Sequence, residues 1–230
     1  MKRAEITCQD GEAEVYLYDL IGDYWGEGIS AQQFADDLAA LTDATRITIR
    51  INSPGGAVFD GITMYNALRR LTIPSVAAID GVAASAAALV AMGAQRVTMA
   101  ETARLMIHEA MGTTQGRASD HRDMAAVLDG INETQIGVFA DKSATSRAKV
   151  AEWLAAETWF SAEQAHAAGF SDATTEPLRV AACIPPGLFA ATPPELVMSG
   201  PAVLGEPQET GEDWRAKAAM RRRDLTLVGP

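Results

Sequence analysis

The sequence predicts an α/β protein with a mostly parallel sheet, because strand-like and helix-like segments alternate along residues 1–175 of the 230. Residues 46–51 (RITIRI) alternate polar and apolar side chains, which is the period of a half-buried strand. Residues 58–71 carry apolar side chains at helical spacing, and two further strand-to-helix passages follow. Repeated βα units of this kind place parallel strands between helices.

The elements before this unit are also readable. Residues 14–18 predict a first strand, and residues 22–28 form a glycine-rich loop. Ser30 is a predicted N-cap, because its hydroxyl can accept a backbone N–H at the start of a helix over residues 34–41.

The next two predicted strands each lead to a polar side chain. Residues 75–80 predict a short buried strand, and an alanine-rich helix follows from residue 86 to 92 with Ser85 at the junction. The next apolar strand ends at His108. Residues 119–143 predict a long helix, whose apolar side chains at helical spacing are Met124, Val127, Leu128, Ile131 and Val138.

Proline positions predict the domain boundary. Only Pro54 and Pro74 precede residue 177, and the other eight prolines lie between residues 177 and 230. Proline disrupts helix interiors and central strands. We therefore interpret residues 1–175 as the folded domain and residues 176–230 as an extended, mobile, Pro-rich tail.

Composition excludes several functions. A net charge of −11 argues against nucleic acid or an anionic membrane as the main partner. Cys8 and Cys183 are too few for a disulfide framework or a metal site, and no nucleotide, flavin or zinc motif is present. We expect no cofactor and no metal. The chain starts without a signal peptide and has no apolar run of membrane-spanning length, so we expect a cytoplasmic protein.

Three separated features together indicate serine chemistry. Ser85 lies among small residues at a strand-to-helix junction, where backbone N–H groups of the helix start can stabilise an anion. His108 supplies a base, and Gly55 and Gly56 form a turn that can offer further N–H donors. Each has a structural alternative: a small N-cap residue, a hydrogen-bonded core histidine and an ordinary tight turn.

The motifs at residues 51–56 (INSPGG), 80–85 (DGVAAS) and 106–108 (MIH) resemble the Clp protease proteolytic subunit family. The resemblance is closest to its phage and prophage branch of head-maturation proteases, and it covers roughly residues 12–175. It implies the Clp/crotonase-type ββα superhelix, with the long helix as a protruding handle. It also implies a serine endopeptidase that cleaves unstructured polypeptides, such as scaffold or capsid precursors in procapsid maturation, and that assembles into rings.

The resemblance assigns roles to individual residues. Ser85 is the nucleophile and His108 the general base, and the segment 157–164 places Glu157 where the family usually has an aspartate. Glutamate has one methylene more than aspartate, which changes the reach of its carboxylate. Asp172 therefore remains the alternative acid. Glu109 is disfavoured because adjacent strand residues point to opposite faces.

The oxyanion donors predicted on the same resemblance are the backbone N–H groups of Gly55, Gly56 and Ala86. The resemblance also bears on energy coupling. The chain itself should not bind ATP, and a Clp-type unfoldase is a partner in the wider family that is not expected here.

Three alternatives stay open. A crotonase relative that handles acyl-CoA would share the fold without needing the serine and histidine. A Ser–Lys peptidase would need a lysine after Ser85, and the available ones are Lys142, Lys149 and Lys217. A catalytically inactive capsid or scaffold component would keep the fold alone. The substrate, the cleavage specificity, the ring size and any self-processing of the tail cannot be read from the sequence.

Overall fold

The structure is a computed structural model that describes residues 4–22, 28–176, 184–185 and 187–197. In these ranges a mixed α/β fold is built on one eight-stranded sheet, and the compact unit extends to Val197. The strands are β1 (Glu5–Gln9), β2 (Glu12–Leu17), β3 (Arg46–Ser53), β4 (Ser75–Ala84), β5 (Arg96–Ala100), β6 (Arg104–Ile107), β7 (Thr158–Ser161) and β8 (Ala173–Thr175). The predicted α/β class is confirmed.

Helices connect most of these strands. They are α1 (Ala31–Ala40), α2 (Val58–Arg69), α3 (Ala86–Ala91), α4 (Ala118–Ser143), α5 (Arg147–Ala155) and α6 (Ala162–Ala167), with a short 3-10 helix at Pro194–Leu196. The Gln33 N–H donates to the Ser30 hydroxyl at 3.3 Å, so the predicted N-cap of α1 is confirmed.

Strand β4 is the branch point of the sheet. β2, β3 and β4 are parallel neighbours, and the first half of β4 continues the sheet through parallel β5 and β8. The second half of β4 instead pairs in parallel with β6, and β6 pairs antiparallel with β7. The ends of β4 and β6 therefore lie side by side, and this is where Ser85 and His108 follow.

The long helix α4 is only partly covered by its own chain. Its C-terminal half packs on the core through Ile136 and Phe139, and Ile131 is also buried. In its N-terminal half Val127 is 53% exposed. The predicted apolar stripe is thus divided between core packing and an exposed surface.

A buried ionic cluster ties β2, β3 and β4 together. Asp80 is 2% exposed and accepts two hydrogen bonds from the Arg50 guanidinium, at 2.6 and 2.8 Å. Burial alone would lower the pKa of Arg50, but the charge of Asp80 raises it above its ordinary value. The Tyr18 hydroxyl also donates to Asp80, and burial together with this bond raises the pKa of Tyr18 to about 12. The cluster fixes the strand that leads to Ser85.

Part of the segment predicted as a mobile tail is packed on the body. We call residues 184–185 and 187–197 the strap. Within the strap, Ile184, Phe189 and Leu196 are buried, and the Ile184 N–H donates to the Leu196 carbonyl at 2.9 Å. The apolar side chains of these residues cover a face of β4 and β6, so this part of the predicted tail is packed on the folded body. The rest of the predicted tail lies outside the described residues.

Within the described ranges, no helix combines the length and the apolar character needed to cross a lipid bilayer. The same ranges hold no group of three or more His, Cys, Asp or Glu residues placed to bind a metal ion.

Candidate active site

Ser85 occupies a strained turn between β4 and α3. Its backbone has φ +56° and ψ −123°, a region that residues with a side chain rarely adopt. The turn is held on both sides, since the Ser85 N–H donates to the Met106 carbonyl at 2.9 Å and the Ser85 carbonyl accepts from the Ala88 N–H at 3.0 Å. Strain of this kind concentrates at functional sites, where it presents one side chain in a fixed direction.

His108 lies beside this turn because β4 and β6 are parallel. The register pairs Ala84 with Met106, so both chains leave the sheet at the same edge. The His108 Nε2 and the Ser85 Oγ are 2.8 Å apart, which is hydrogen-bond distance. The structure thus brings the predicted nucleophile and base together.

The electrostatic environment keeps the His108 imidazole neutral. Its side chain is 8% exposed, and this burial lowers the pKa of His108 below its ordinary value. The negative charge of Glu157 acts in the opposite direction without reversing the shift. A neutral imidazole near pH 7 is the form that can accept a proton from serine.

Glu157 and His108 lie at the same end of the β6–β7 pair. β6 and β7 pair antiparallel with Ile107 opposite Thr158, so His108 directly follows β6 and Glu157 directly precedes β7. Glu157 is near enough for its negative charge to act on the pKa of His108. The structure therefore places the predicted acid beside the predicted base.

The Glu157 carboxylate is bound by the strap. It accepts hydrogen bonds from the N–H groups of Ala190 at 2.9 Å and Ala191 at 2.5 Å, and from the Trp159 indole at 3.4 Å. The Nδ1 of His108 has no hydrogen-bond partner among the described residues. Glu157 also has φ +47° just after α5, where glycine is most common, at a cost of about 1 kcal/mol.

The alternative acid, Asp172, has other partners. Its carboxylate accepts from the Val97 N–H at 2.7 Å and from the Lys142 ammonium at 3.1 Å. Burial alone would raise the pKa of Asp172, but these two donors hold it below its usual range. Glu109, the other acid considered, is exposed. Neither carboxylate contributes a hydrogen bond to the histidine.

The glycine turn after β3 approaches Ser85 closely, and its two glycines differ. The Gly55 N–H, one of the predicted oxyanion donors, donates to the Ser53 hydroxyl at 3.1 Å. A side chain at Gly55 would lie 2.5 Å from the Ala84 carbonyl oxygen and 2.8 Å from the Ser85 Cβ. Gly55 thus permits the approach of the turn, whereas Gly56 and Ala86 both face the cavity described next.

A cavity of about 160 Å³ opens in front of the serine. Besides the serine and histidine, it is lined by Gly56, Ala57, Val58, Ala86, Ala110, Met111 and Gln135. Met111 is 69% exposed and Gln135 is a buried polar residue of α4. Neither residue could be singled out in the sequence, because neither lies in a motif. The amphipathic pattern of α4 could only have shown that residue 135 shares a face with Ile131 and Phe139.

Neither lysine of the Ser–Lys alternative that lies in the described ranges is bonded to the serine. Lys142 pairs with Asp172, and Lys149 pairs with Glu152 at 2.8 Å. Lys217 lies outside the described residues.

Comparison with known proteins matches most of this chain to one family. The family model described as Clp protease matches residues 11–177. An ATP-dependent Clp protease proteolytic subunit from Bacteroides fragilis is 31% identical over 160 residues, covering 69% of this chain and 76% of the relative. Proteolytic subunit 3 of the ATP-dependent Clp protease from Rhizobium meliloti is 33% identical over 145 residues, covering 60% of this chain and 73% of the relative.

The fold has a solved counterpart. A ClpP1 mutant from Listeria monocytogenes superposes with a TM-score of 0.63 at 22% identity, covering 71% of this chain and 91% of the other. The family match spans the strands that carry Ser85 and His108 as well as the segment of Glu157. The chain belongs to the Clp protease family.

Proposed function

We propose that this chain is a serine endopeptidase of the Clp type, with Ser85 as nucleophile and His108 as general base. The observation that carries the proposal is the 2.8 Å distance between Ser85 Oγ and His108 Nε2, on a strained turn that faces a cavity. The family match to Clp proteases supports a peptidase as the reaction class.

The geometry supports the following sequence of steps. The neutral His108 takes the hydroxyl proton as Ser85 Oγ attacks the peptide carbonyl, and the N–H groups of Gly56 and Ala86 donate to the developing oxyanion. The imidazolium then protonates the leaving amine, and a water activated by the same base hydrolyses the acyl-enzyme. Glu157 is the acid of the triad, whose negative charge stabilises the imidazolium.

The reaction is tested with a fluorophosphonate probe followed by mapping of the labelled peptide. We expect labelling at Ser85, and we expect Ser85→Ala and His108→Ala each to abolish both labelling and hydrolysis of an unstructured protein such as dye-labelled casein. The two losses should not add in the double variant, because the residues act as one unit. Turnover at the wild-type rate by Ser85→Ala, with the fold intact by circular dichroism, would contradict the assignment.

We propose that the substrates are unstructured polypeptides and that hydrolysis by this chain needs no ATP. The sequence contains no nucleotide-binding motif, which supports this reading. We also propose a role in phage procapsid maturation, supported by the motif resemblance, with scaffold or capsid precursors as substrates in the bacterial host cytoplasm. Cleavage of such a precursor without nucleotide tests both, and a strict requirement for an unfoldase and ATP would overturn them.

Assembly into rings is the expected form of the protein. Among the described residues, Val127 in the N-terminal half of α4 is exposed, whereas Ile136 and Phe139 in the C-terminal half pack on the core. An exposed apolar helix face of this kind is typical of a contact between subunits.

A further inference from the structure

The strap residues do not line the cavity in front of Ser85. The residues that line the cavity before Ser85 belong to the β3–α2 turn, the nucleophile turn, the segment after β6 and α4. The strap instead packs on Val82, Ala84 and Met106, which lie on β4 and β6. A peptide entering the cavity would therefore not compete directly with the strap.

The strap contacts both the base and the acid of the proposed triad. The Phe189 ring meets the His108 imidazole edge to face, with ring centroids 5.3 Å apart. The next two residues, Ala190 and Ala191, donate their backbone N–H groups to the two oxygens of the Glu157 carboxylate. Residues 189–191 of the strap thus contact both the imidazole ring of the base and the carboxylate of the acid.

These contacts leave the base without its orienting partner. A neutral imidazole accepts a proton at Nε2 only in the tautomer that carries hydrogen on Nδ1, and a carboxylate at Nδ1 selects that tautomer. In this structure His108 Nδ1 has no hydrogen-bond partner among the described residues, while the Glu157 oxygens are held by amides of the strap. The acid is close enough to affect the base electrostatically but is not bonded to it.

The length of the acid explains how the strap reaches it. Glu157 directly precedes β7 and His108 directly follows β6, so the acid starts at the same end of this antiparallel pair as the imidazole. The additional methylene of glutamate carries the carboxylate further, to the amides of Ala190 and Ala191. An aspartate at this position would be too short to keep both bonds to the strap.

We propose that the strap is an autoinhibitory element that withholds Glu157 from His108, and that its release lets the carboxylate accept the Nδ1 hydrogen and so raises peptidase activity. This inference rests on the proposed function. Because the strap lies outside the substrate cavity, its release should change kcat and leave KM unaffected.

The test uses the full chain with two buried strap anchors made polar, Phe189→Ser together with Leu196→Ser. We expect the rate constant for fluorophosphonate labelling of Ser85 and the kcat on dye-labelled casein to rise at least about tenfold, with KM within twofold. The matched control is Leu188→Ala, which truncates the apolar side chain next to Phe189. Leu188 is 37% exposed and Phe189 is 8% exposed, so the control should leave the labelling rate and kcat unchanged. Circular dichroism and light scattering establish that fold and assembly are retained.

A second variant keeps the proposal testable if the double serine variant does not fold. Glu157→Asp shortens the acid while the sequence of the strap stays unchanged, and we expect its labelling rate to exceed that of the wild type. Adding Phe189→Ala to Glu157→Asp should give no further increase. A labelling rate at Ser85 that is unchanged or lower in both tests would overturn the strap proposal and leave the proposed function standing. No labelling at Ser85 in any variant would overturn both.

Discussion

The strain at Ser85 predicts that glycine at this position makes the fold more stable while it removes the nucleophile. The backbone there has φ +56° and ψ −123°, and a side chain held in such a region costs on the order of 1–3 kcal/mol. Glycine relieves this strain but adds roughly 0.5–1 kcal/mol of conformational entropy to the unfolded chain. We therefore expect Ser85→Gly to exceed Ser85→Ala in unfolding free energy by roughly 1 kcal/mol.

The comparison with alanine isolates the strain, because both variants lack the hydroxyl and both are expected to be inactive. In thermal unfolding followed by circular dichroism at one protein concentration, about 1 kcal/mol corresponds to roughly 2–4 °C for a chain of this size. Ala126→Gly, an exposed position in α4, is the control and should lose about 1 kcal/mol. Should Ser85→Gly melt at or below Ser85→Ala while the control behaves normally, the turn is not strained and the reasoning fails.

Two further predictions concern the base and the assembly. Because burial lowers the pKa of His108, kcat/KM should rise with pH through a single transition whose midpoint lies below the ordinary value of 6.5. Glu157→Gln should move this midpoint lower still, because it removes the negative charge that raises the pKa of His108. A wild-type midpoint above 6.5 would contradict the assignment of His108 as the base. The double variant Val127→Ser with Leu128→Ser should dissociate the proposed ring, as measured by light scattering, whereas the control Ala126→Ser should not. A wild-type protein that is monomeric by the same measurement would refute ring assembly.

The positions of Ser85 and His108 could be predicted because they depend on local pattern and on one general rule. Each follows an apolar strand, and parallel strands bring their carboxyl ends to one edge of a sheet. The branching of β4 between β5 and β6 was not readable, since it depends on which strand pairs with each half of β4. It is nevertheless this branching that brings Met106, and His108 two residues later, beside the nucleophile turn.

The role of each glycine could not be predicted from the turn motif. Two adjacent glycines indicate a turn with unusual dihedral angles, but they do not show which N–H is already bonded. The bond from Gly55 to the Ser53 hydroxyl depends on the orientation of a side chain two residues earlier. Only Gly56 then remains on the cavity wall, beside Ala86.

The strap was missed for a different physical reason. The proline positions predicted a segment without long helices or central strands, and the described part contains only a short 3-10 helix. Its three apolar anchors, Ile184, Phe189 and Leu196, follow neither a period of 2 nor of 3.6, because they match a surface that exists only after β4 and β6 have assembled. Irregular local structure therefore does not imply absence of packing.

The glutamate at residue 157 and the strap are best understood as one device. A glutamate that is free to turn has more side-chain conformations than an aspartate, so without a partner its carboxylate would spend less time against the imidazole. The amides of Ala190 and Ala191 remove that freedom and hold the carboxylate at the strap, where it is not bonded to His108. A short acid would orient the base at all times, whereas a long acid with a docking segment makes orientation depend on whether that segment is bound. Glutamate in place of the family's usual aspartate at residue 157 is thus the feature through which the strap can control the triad.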